Sequence, residues 1–516
     1  MPTLQHCKCN SPDEMDLNTL NQQALASDSP HLFDQSPSNL KETNEDRSSQ
    51  DTPLPLCAVS IIFAIGLTIA LVLQISLGES LVSIRGVLVS DHELCTALGQ
   101  RVLYDGGSSV DAAIAGALCL GVVHPHVSGV GGGGVMIVHD ISKNETKVIN
   151  FQGATPKTIR EEMMQNISAL KEGLQVGVPG MLKGLHHAHS LYGSLSWEDI
   201  VSRAAAVARG GFNVSHSLAD AVSKVKGEQL SQRFRDVFIP DGQALSPGSS
   251  VRMPGLARVL EAGLLNFYHG NLSQEIQDEV RENGGVLSRE DISSYNVEVE
   301  QPLEVQYRDF IIQVPPPPSA GAALISALSL LERFNVSESN ITENLTYHWM
   351  SEALKAALVI ASGLGDVKYN SSVTELLSDI LSQRMNYSHT SPLSTSPVPT
   401  PYRQLRAGQV VVMGPDNLMV SVASSLSRPF GSRIITQSGI LLNSLILDFS
   451  WPNKTRGQLQ TNQNNSVESR KRPMLFLMPT IMLPAWQQCG IYMALSSSGG
   501  PNSLNAITQT KMAASL

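Results

Sequence analysis

The hydrophobic and polar positions divide the chain into three stretches of different character. Residues 1–55 are polar, residues 56–77 are apolar, and the rest alternates between short apolar runs and polar turns. The apolar run, LCAVSIIFAIGLTIALVLQISL, has 22 residues and no charge, which matches the ~20 residues that a helix needs to cross a bilayer. The pattern therefore predicts one transmembrane helix over residues 56–77.

The first 55 residues are too polar to fold on their own. They hold nine acidic and three basic residues and are rich in Ser, Asn, Gln and Pro. Such a segment buries too little apolar surface to offset the loss of chain entropy. We predict a disordered tail over residues 1–55.

After the apolar run, the periodicity predicts a helical hairpin. The segment HELCTALGQRVL (92–103) has apolar residues at helical spacing, and the turn DGGSS ends it. Ser109 is suited to cap a second helix, VDAAIAGALCLGV (110–122). Two antiparallel helices joined by a short turn bring Cys95 near Cys119, so we predict a disulfide that staples the hairpin.

The remaining patterns predict further strands, helices and one linker. Glycine-rich SGVGGGG precedes the strand VMIVHD (135–140). Its glycines favour close backbone packing or approach to a ligand over a phosphate site, because the motif lacks GKS/T and opens no helix. The other predicted elements are helices and loops over 155–300, strands over 297–321 that end in a four-proline turn, a helix over 346–366, a Ser/Thr/Pro linker over 386–405, and the strands QVVVMGPD, NLMVSVASSL and SGILLNS within 409–444.

Charge and glycosylation motifs indicate the compartment. The formal net charge of −10 argues against nucleic acid as a partner, because phosphate binding needs clustered Lys and Arg. Eleven Asn-x-Ser/Thr motifs follow the apolar run and none precedes it, which predicts a single-pass type II membrane protein with a cytoplasmic tail and a luminal or extracellular bulk. The motifs begin at Asn144, Asn166, Asn213, Asn271, Asn335, Asn340, Asn344, Asn370, Asn386, Asn453 and Asn464.

Few residues suggest chemistry on their own. His124 and His126 lack a third metal ligand in register, so we interpret them as structural and predict neither a metal nor a cofactor. His186 and His189 share a helix face, which we interpret as solvated. The segment SSSGG (496–500) has the hydroxyls and amides of an oxyanion site, and it is equally typical of a plain turn.

Several segments in a fixed order resemble the gamma-glutamyltransferase family. They are DGGSSVDAAIA, GVGGGG before a strand, VGVPG (176–180), PPPPSAG, and FGS…SGILLN…DFS (430–450). The resemblance implies an α+β fold, the αββα sandwich of N-terminal-nucleophile hydrolases, with two stacked sheets between helical layers. It also implies a large-subunit-like region at 79–406, a small-subunit-like region at 407–516, and hydrolysis or transfer of the gamma-glutamyl group of glutathione.

The resemblance assigns site positions, and several of them depart from the family pattern. Family members cut themselves before a threonine that then acts as nucleophile and, through its amino group, as its own base. That position falls on Ala407, whose methyl group cannot attack a carbonyl. The family arginine that grips the substrate carboxylate matches Gln152, which keeps a hydrogen bond and loses the charge. The oxyanion glycines match Gly499 and Gly500.

Of the other assigned positions, some keep the polar residue type of the family and others do not. Polar groups are kept at Ser425, Ser427 and Asp448, while Leu445, Leu475 and Phe476 replace polar residues of the family. Because loss of a nucleophile usually lowers the rate by several orders of magnitude, the residues favour a catalytically impaired family member. Two alternatives stay open. One is an active hydrolase or transpeptidase with an unrecognised nucleophile. The other is an unproductive truncated isoform, since the sequence stops at Leu516 whereas family chains continue. An impaired member could still bind a ligand weakly or act through a partner, and the sequence does not identify a protein partner.

Overall fold

A six-stranded antiparallel sheet forms the centre of the described chain. The computed structural model describes residue 68 and residues 86–164, 170–307, 310–317, 319, 321–333, 348–353, 357, 407–448 and 481–484. All of these except Thr68 belong to one compact unit, Ser83–Leu516. Thr68 is helical and belongs to the other unit, Met1–Val82.

The strands form two main sheets. In chain order they are β1 (Val87–Ser90), β2 (Gly133–Asp140), β3 (Glu145–Asn150), β4 (Phe212–Asn213), β5 (Ser250–Val251), β6 (Glu298–Glu300), β7 (Leu303–Tyr307), β8 (Phe310–Val314), β9 (Gly408–Met413), β10 (Leu418–Ser425) and β11 (Ile481–Pro484). The strand orders are β1-β9-β10-β2-β3-β6 in the first sheet and β11-β8-β7 in the second, while β4 pairs with β5. Strands β9 and β10 therefore lie in the middle of a sheet whose other strands come from residues 87–300.

Helices cover much of the chain between β3 and β6, as the sequence predicted. The α-helices of the described chain are α1 (Glu93–Tyr104), α2 (Ser109–Val123), α3 (Met181–Tyr192), α4 (Trp197–Gly210), α5 (His216–Val225), α6 (Gln232–Phe238), α7 (Pro254–Glu261), α8 (Gly263–His269), α9 (Asn271–Glu282), α10 (Arg289–Ser294) and α11 (Gly321–Arg333). Shorter 3-10 helices span Glu161–Met164, Glu172–Gln175, Pro240–Gly242 and Leu445–Asp448, and residues 348–353 are also helical.

Helices α1 and α2 form the predicted hairpin, and a disulfide joins Cys95 to Cys119. The capping residue is Ser108, so the prediction of Ser109 was wrong by one position. The Ser108 hydroxyl accepts a hydrogen bond from the Asp111 backbone, and the Asp111 carboxylate accepts one from the Ser108 backbone, each at 3.0 Å. The Ser109 hydroxyl instead donates to Asp416 Oδ1 at 2.5 Å, a long-range partner that local sequence does not reveal.

The central sheet separates two apolar layers. Helix α2 is buried along its whole length, and its Gly116 lies so close to Val410 that a Cβ atom would be 3.1 Å from Val410 Cγ1. Successive strand residues point to opposite faces, and the face away from α2 carries a separate cluster of Val135, Ile137, Val148 and Met419.

The second sheet is hydrogen-bonded to this other face. Thr146 of β3 donates to Gln313 of β8 at 2.7 Å, and α11 packs on β7 and β8. Helix, sheet, sheet and helix thus follow one another, in agreement with the predicted α+β sandwich.

The segment SGILLNS is not a strand. Among the described residues it makes only isolated bridges, Ile435 with Leu441 and Gly131 with Leu442. The Thr436 backbone donates to Ile440 at 2.9 Å, and Gly439 has φ +91°. The chain therefore turns back on itself before a strand can form, and the prediction was wrong.

Some predicted segments lie outside the described residues. They are the tail 1–55, the apolar run 56–77 apart from Thr68, and the linker 386–405. In the described part of the chain, no helix is both long enough and apolar enough to cross a membrane. The division at residue 407 stays a prediction.

Candidate functional site

Four strand ends bring the assigned site positions together. Ser425 pairs with Gly133, and extending the observed registers by one or two residues places Ala407 opposite Ser425 and Gln152 opposite Gly133. Directly opposed residues in antiparallel strands point to the same face of a sheet. These four residues, called here the strand-end row, therefore line the face that points away from α2.

Ala407 begins the central strand β9 and is buried, with 2% of its surface exposed. The strand start is fixed by Asp91, whose carboxylate accepts a hydrogen bond from the Gln409 backbone at 2.8 Å. On the opposite face, the hydroxyls of Ser128 and Ser424 are 2.6 Å apart, next to Gly408. Ala407 is thus held firmly in place and offers only a methyl group to the row.

Ser425 and Ser427 are both buried. The Ser427 backbone N–H donates to the Ser425 hydroxyl at 2.9 Å, and Ser427 has φ +72°. This left-handed conformation turns the chain away from β10 directly after the row. Ser425 therefore keeps a polar atom opposite Ala407, and Ser427 keeps one just beyond the end of β10.

Gln152 carries a buried nitrogen without a partner. Its side chain is 7% exposed, and Nε2 has no hydrogen-bond acceptor. Gly133 has no room for a side chain here, because a Cβ atom would lie 2.3 Å from the Gln152 carbonyl oxygen. An unsatisfied buried donor costs about 1–3 kcal/mol, so the row contains a donor that a ligand oxygen can satisfy.

Asn443, which the sequence analysis did not single out, positions the segment that carries Leu445 and Asp448. Its Oδ1 accepts from the backbones of Gly177 (2.9 Å) and Leu445 (3.0 Å), and its Nδ2 donates to the Gly131 carbonyl at 2.8 Å. Leu445 consequently packs beside Gly153, next to Gln152: a Cβ atom on Gly153 would be 3.0 Å from Leu445 Cδ2. Asp448 ends the same 3-10 helix and is half-buried.

A buried cluster on α3 and α8 supports the turn at 176–180. The Tyr268 hydroxyl donates to the Pro179 carbonyl at 3.0 Å and accepts from the Lys183 backbone at 3.1 Å. Burial raises the pKa of Tyr268 and of Tyr295, and burial lowers the pKa of Lys183. Tyr268 therefore holds the turn at 176–180, and the Tyr295 hydroxyl accepts a hydrogen bond from the backbone of Gly153, the residue after Gln152.

The histidines have structural surroundings. The rings of His124 and His126 lie 5.1 Å apart, and the described residues contain no group of three or more His, Cys, Asp or Glu side chains that could hold a metal. His186 and His189 were expected on a solvated face, and that expectation was wrong. Both rings pack against Trp197, the first residue of α4, at 5.0 and 5.5 Å between centroids.

Other assigned positions are divided between the described and undescribed parts of the chain. Gly499, Gly500, Leu475 and Phe476 lie outside the described residues. Of the glycosylation motifs, Asn144, Asn213 and Asn271 are described and all three are exposed. The remaining motif asparagines lie outside the described residues: Asn166, Asn335, Asn340, Asn344, Asn370, Asn386, Asn453 and Asn464.

Sequence comparison places these features in one family. Residues 95–515 match the model of the gamma-glutamyltranspeptidase family. The chain is 46% identical to glutathione hydrolase 7 of Mus musculus, over 96% of this chain and 78% of the relative. It is 45% identical to glutathione hydrolase 7 of Homo sapiens, with the same coverage.

Structural comparison agrees. The cephalosporin acylase of Bacillus halodurans superposes with a TM-score of 0.65 and 25% identity, over 78% of this chain and 75% of the acylase. Both comparisons extend over most of the chain, and the family segment GVGGGG supplies Gly133 to the strand-end row. The chain belongs to the gamma-glutamyltranspeptidase family.

Proposed function

We propose that this chain is a catalytically impaired gamma-glutamyltransferase, one that binds glutathione or another gamma-glutamyl compound and does not cleave it. The observation that carries the proposal is Ala407, a buried methyl group at the start of β9 where the family resemblance assigns the nucleophile. A methyl group has neither a lone pair to attack a carbonyl nor a proton to exchange with a base. The same lack removes the nucleophile for self-cleavage.

The capacity to bind is supported by what the row retains. Gln152 offers a donor without an acceptor, Ser425 keeps a hydroxyl in the row, and Ser427 keeps one directly after β10. An amide donor and hydroxyls bind a carbonyl or carboxylate oxygen by hydrogen bonds, without the charge that an arginine would supply.

The alternative, an active enzyme with a different nucleophile, has one candidate in the row. Ser425 is the hydroxyl opposite Ala407. Its oxygen already accepts the Ser427 N–H at 2.9 Å, which withdraws electron density from the attacking atom. If the chain is active, Ser425→Ala abolishes the turnover.

Expression of the full chain in secretory cells tests the proposal. After enzymatic deglycosylation, a denaturing gel is expected to show one uncut chain of 55.5 kDa, with no hydrolysis of a gamma-glutamyl anilide. Ala407→Thr restores the hydroxyl and is expected to yield two fragments and turnover. Ala407→Val, which has the same shape as threonine and no hydroxyl, should stay uncut and inactive. Two fragments and measurable hydrolysis in the unmodified chain would contradict the proposal.

We also propose that residues 56–77 anchor the protein in a membrane and that residues 79–516 face the lumen or the outside of the cell. Support comes from the uncharged apolar run, the exposed motif asparagines and the Cys95–Cys119 disulfide, which fits an oxidising compartment. In sealed microsomes, protease should remove only the tail, and a glycosidase should shift the protected chain. A fully digested, unglycosylated chain would contradict the topology.

A further inference from the structure

A cavity lies apart from the strand-end row. It has a volume of about 320 Å³, is open to solvent on one side, and is lined by the chain after α2, by α6, by the start of α7 and by the turn at 435–439. Its lining includes none of the strand-end row and neither Leu445 nor Asp448. We call it the α6–α7 pocket.

The walls of the α6–α7 pocket are mainly apolar. Val130, Phe238, Leu256 and Leu441 line it, and all four are buried in the core. A cavity of this size and lining accommodates a small organic molecule with an apolar body.

Positively charged side chains outnumber negatively charged ones in the lining of the pocket. Arg233, Arg252 and Arg258 line the pocket, with Asp236 as the one lining carboxylate. Arg233 is paired with Glu279 at 2.5 Å, and Asp236 accepts a hydrogen bond from Gln232 at 2.7 Å.

Two of the arginines, Arg252 and Arg258, are exposed at the rim of the pocket and have no counter-charge in the described part of the chain. Within the described residues, neither Arg252 nor Arg258 has a carboxylate at ion-pair distance. A guanidinium group presents a fork of donors that matches a carboxylate.

The first turn of α7 adds amide donors beside these arginines. Pro254 occupies the first helical position and no side chain caps the turn. The N–H groups of Gly255 and Leu256, which both line the pocket, have no acceptor among the described residues. Arg258 lies one turn further along the same helix face and also lines the pocket.

From the apolar walls and the unpaired arginines, we propose that the α6–α7 pocket binds a small carboxylate with a short apolar body. The carboxylate meets Arg252 and Arg258, and the body lies between Phe238 and Leu256. This site is separate from the strand-end row and does not depend on the function proposed for it.

The test uses the purified full chain in detergent with 4-phenylbutyrate as the probe and its uncharged amide as the matched compound. Calorimetry is expected to give saturable binding of the acid and at least about tenfold weaker binding of the amide. The double variant Arg252→Gln/Arg258→Gln should weaken binding of the acid about tenfold or more. Arg281→Gln, an exposed arginine on α9 outside the pocket, should leave it unchanged.

A labelling experiment covers the case in which the double variant fails to fold. In the unmodified chain, 4-phenylbutyrate should protect Arg252 and Arg258 from phenylglyoxal and leave Arg281 reactive. Equal binding of acid and amide, unchanged binding in a folded double variant, or equal labelling of all three arginines overturns the proposal. Absence of binding at millimolar probe also overturns it.

Discussion

The side-chain amide of Gln152 lowers the stability of the empty protein and can donate a hydrogen bond to a ligand. Its Nε2 atom is buried without a partner, whereas most buried polar groups in proteins are hydrogen-bonded. Phe151, one residue earlier, exchanges two backbone hydrogen bonds with Gly134 and fixes the strand end. The backbone that carries the amide group is therefore held in place, and a ligand oxygen that enters the row can satisfy the buried donor.

Replacing Gln152 by leucine should separate stability from binding. Gln152→Leu removes the unsatisfied donor, so we expect the free energy of unfolding of the empty protein to rise by about 1 kcal/mol. Glutathione binding, measured by calorimetry, should weaken about tenfold because a hydrogen bond to the ligand is lost.

Gln409→Leu is the matched control, since Gln409 lies two residues beyond Ala407 on the same sheet face and is also buried. It should leave glutathione binding within about twofold. If both variants weaken binding equally, the effect comes from general disturbance of the sheet and the role assigned to Gln152 is wrong.

At the scale of elements, the helix α1 in the hairpin begins at a histidine cap. The N-cap of α1 is His92, whose Nδ1 accepts a hydrogen bond from the Leu94 backbone at 3.2 Å. Burial lowers the pKa of His92 from 6.5, with Glu93 opposing the shift. Only the neutral ring can accept this bond, because a protonated Nδ1 is a donor.

The His92 cap should make stability depend on pH. A histidine with a lowered pKa in the folded state contributes stability above its unfolded pKa of 6.5 and loses it as the pH falls. Thermal unfolding of the unmodified chain should therefore shift to lower temperature between about pH 7 and 5. In His92→Asn the cap is retained without a titrating group, and this shift should be smaller. Identical pH profiles for the two proteins would exclude His92 as a contributor.

The disulfide in the hairpin should contribute substantially to stability. Cys95 and Cys119 are separated by 24 residues, and closing a loop of this order lowers the entropy of the unfolded chain by an equivalent of about 3 kcal/mol. Cys95→Ala/Cys119→Ala should lose stability by that amount in denaturant unfolding. Reduction of the unmodified chain is the control and should give the same loss. A double variant as stable as the oxidised protein would mean that helix packing alone holds the hairpin.

At the scale of the whole molecule, a buried polar chain joins the two sheets. The Thr146 hydroxyl donates its one hydrogen to Gln313 at 2.7 Å, so it accepts from His139 Nδ1, also at 2.7 Å. Gln313 in turn donates to Glu304. The bond pattern fixes the His139 tautomer and the alignment of β3 with β8 at the same time.

Thr146→Val should break this link. Two buried partners, His139 and Gln313, lose their shared hydroxyl, and we expect a loss of about 2–3 kcal/mol in the free energy of unfolding. Thr146→Ser keeps the hydroxyl and should lose less than half of that. Thr146 also completes the Asn144 glycosylation motif, so Asn144→Gln is needed to measure the effect of the glycan alone. A valine variant no less stable than Asn144→Gln would show that the link does not stabilise the fold.

Local pattern was sufficient for much of the fold. Apolar spacing predicted α1 and α2, and the runs around Val410 and Val420 predicted β9 and β10, because period and β-branched content reflect burial directly. Prediction from local pattern failed for the helix cap at Ser109 and for a strand at SGILLNS. The structure of both segments depends on residues far away in sequence, such as Asp416 and Gly131. The face of His186 and His189 was misjudged for the same reason, since Trp197 covers it.

The amino-acid sequence alone was enough to indicate the family and the alternation of helices and strands. It also showed that position 407 has no reactive group, because a methyl group is inert in any environment. Only the tertiary structure decided which residues share a site. Strand register placed Ala407, Ser425, Gly133 and Gln152 in one row, and burial left the Gln152 nitrogen without a partner. Register and burial arise from long-range packing, so no local pattern encodes them.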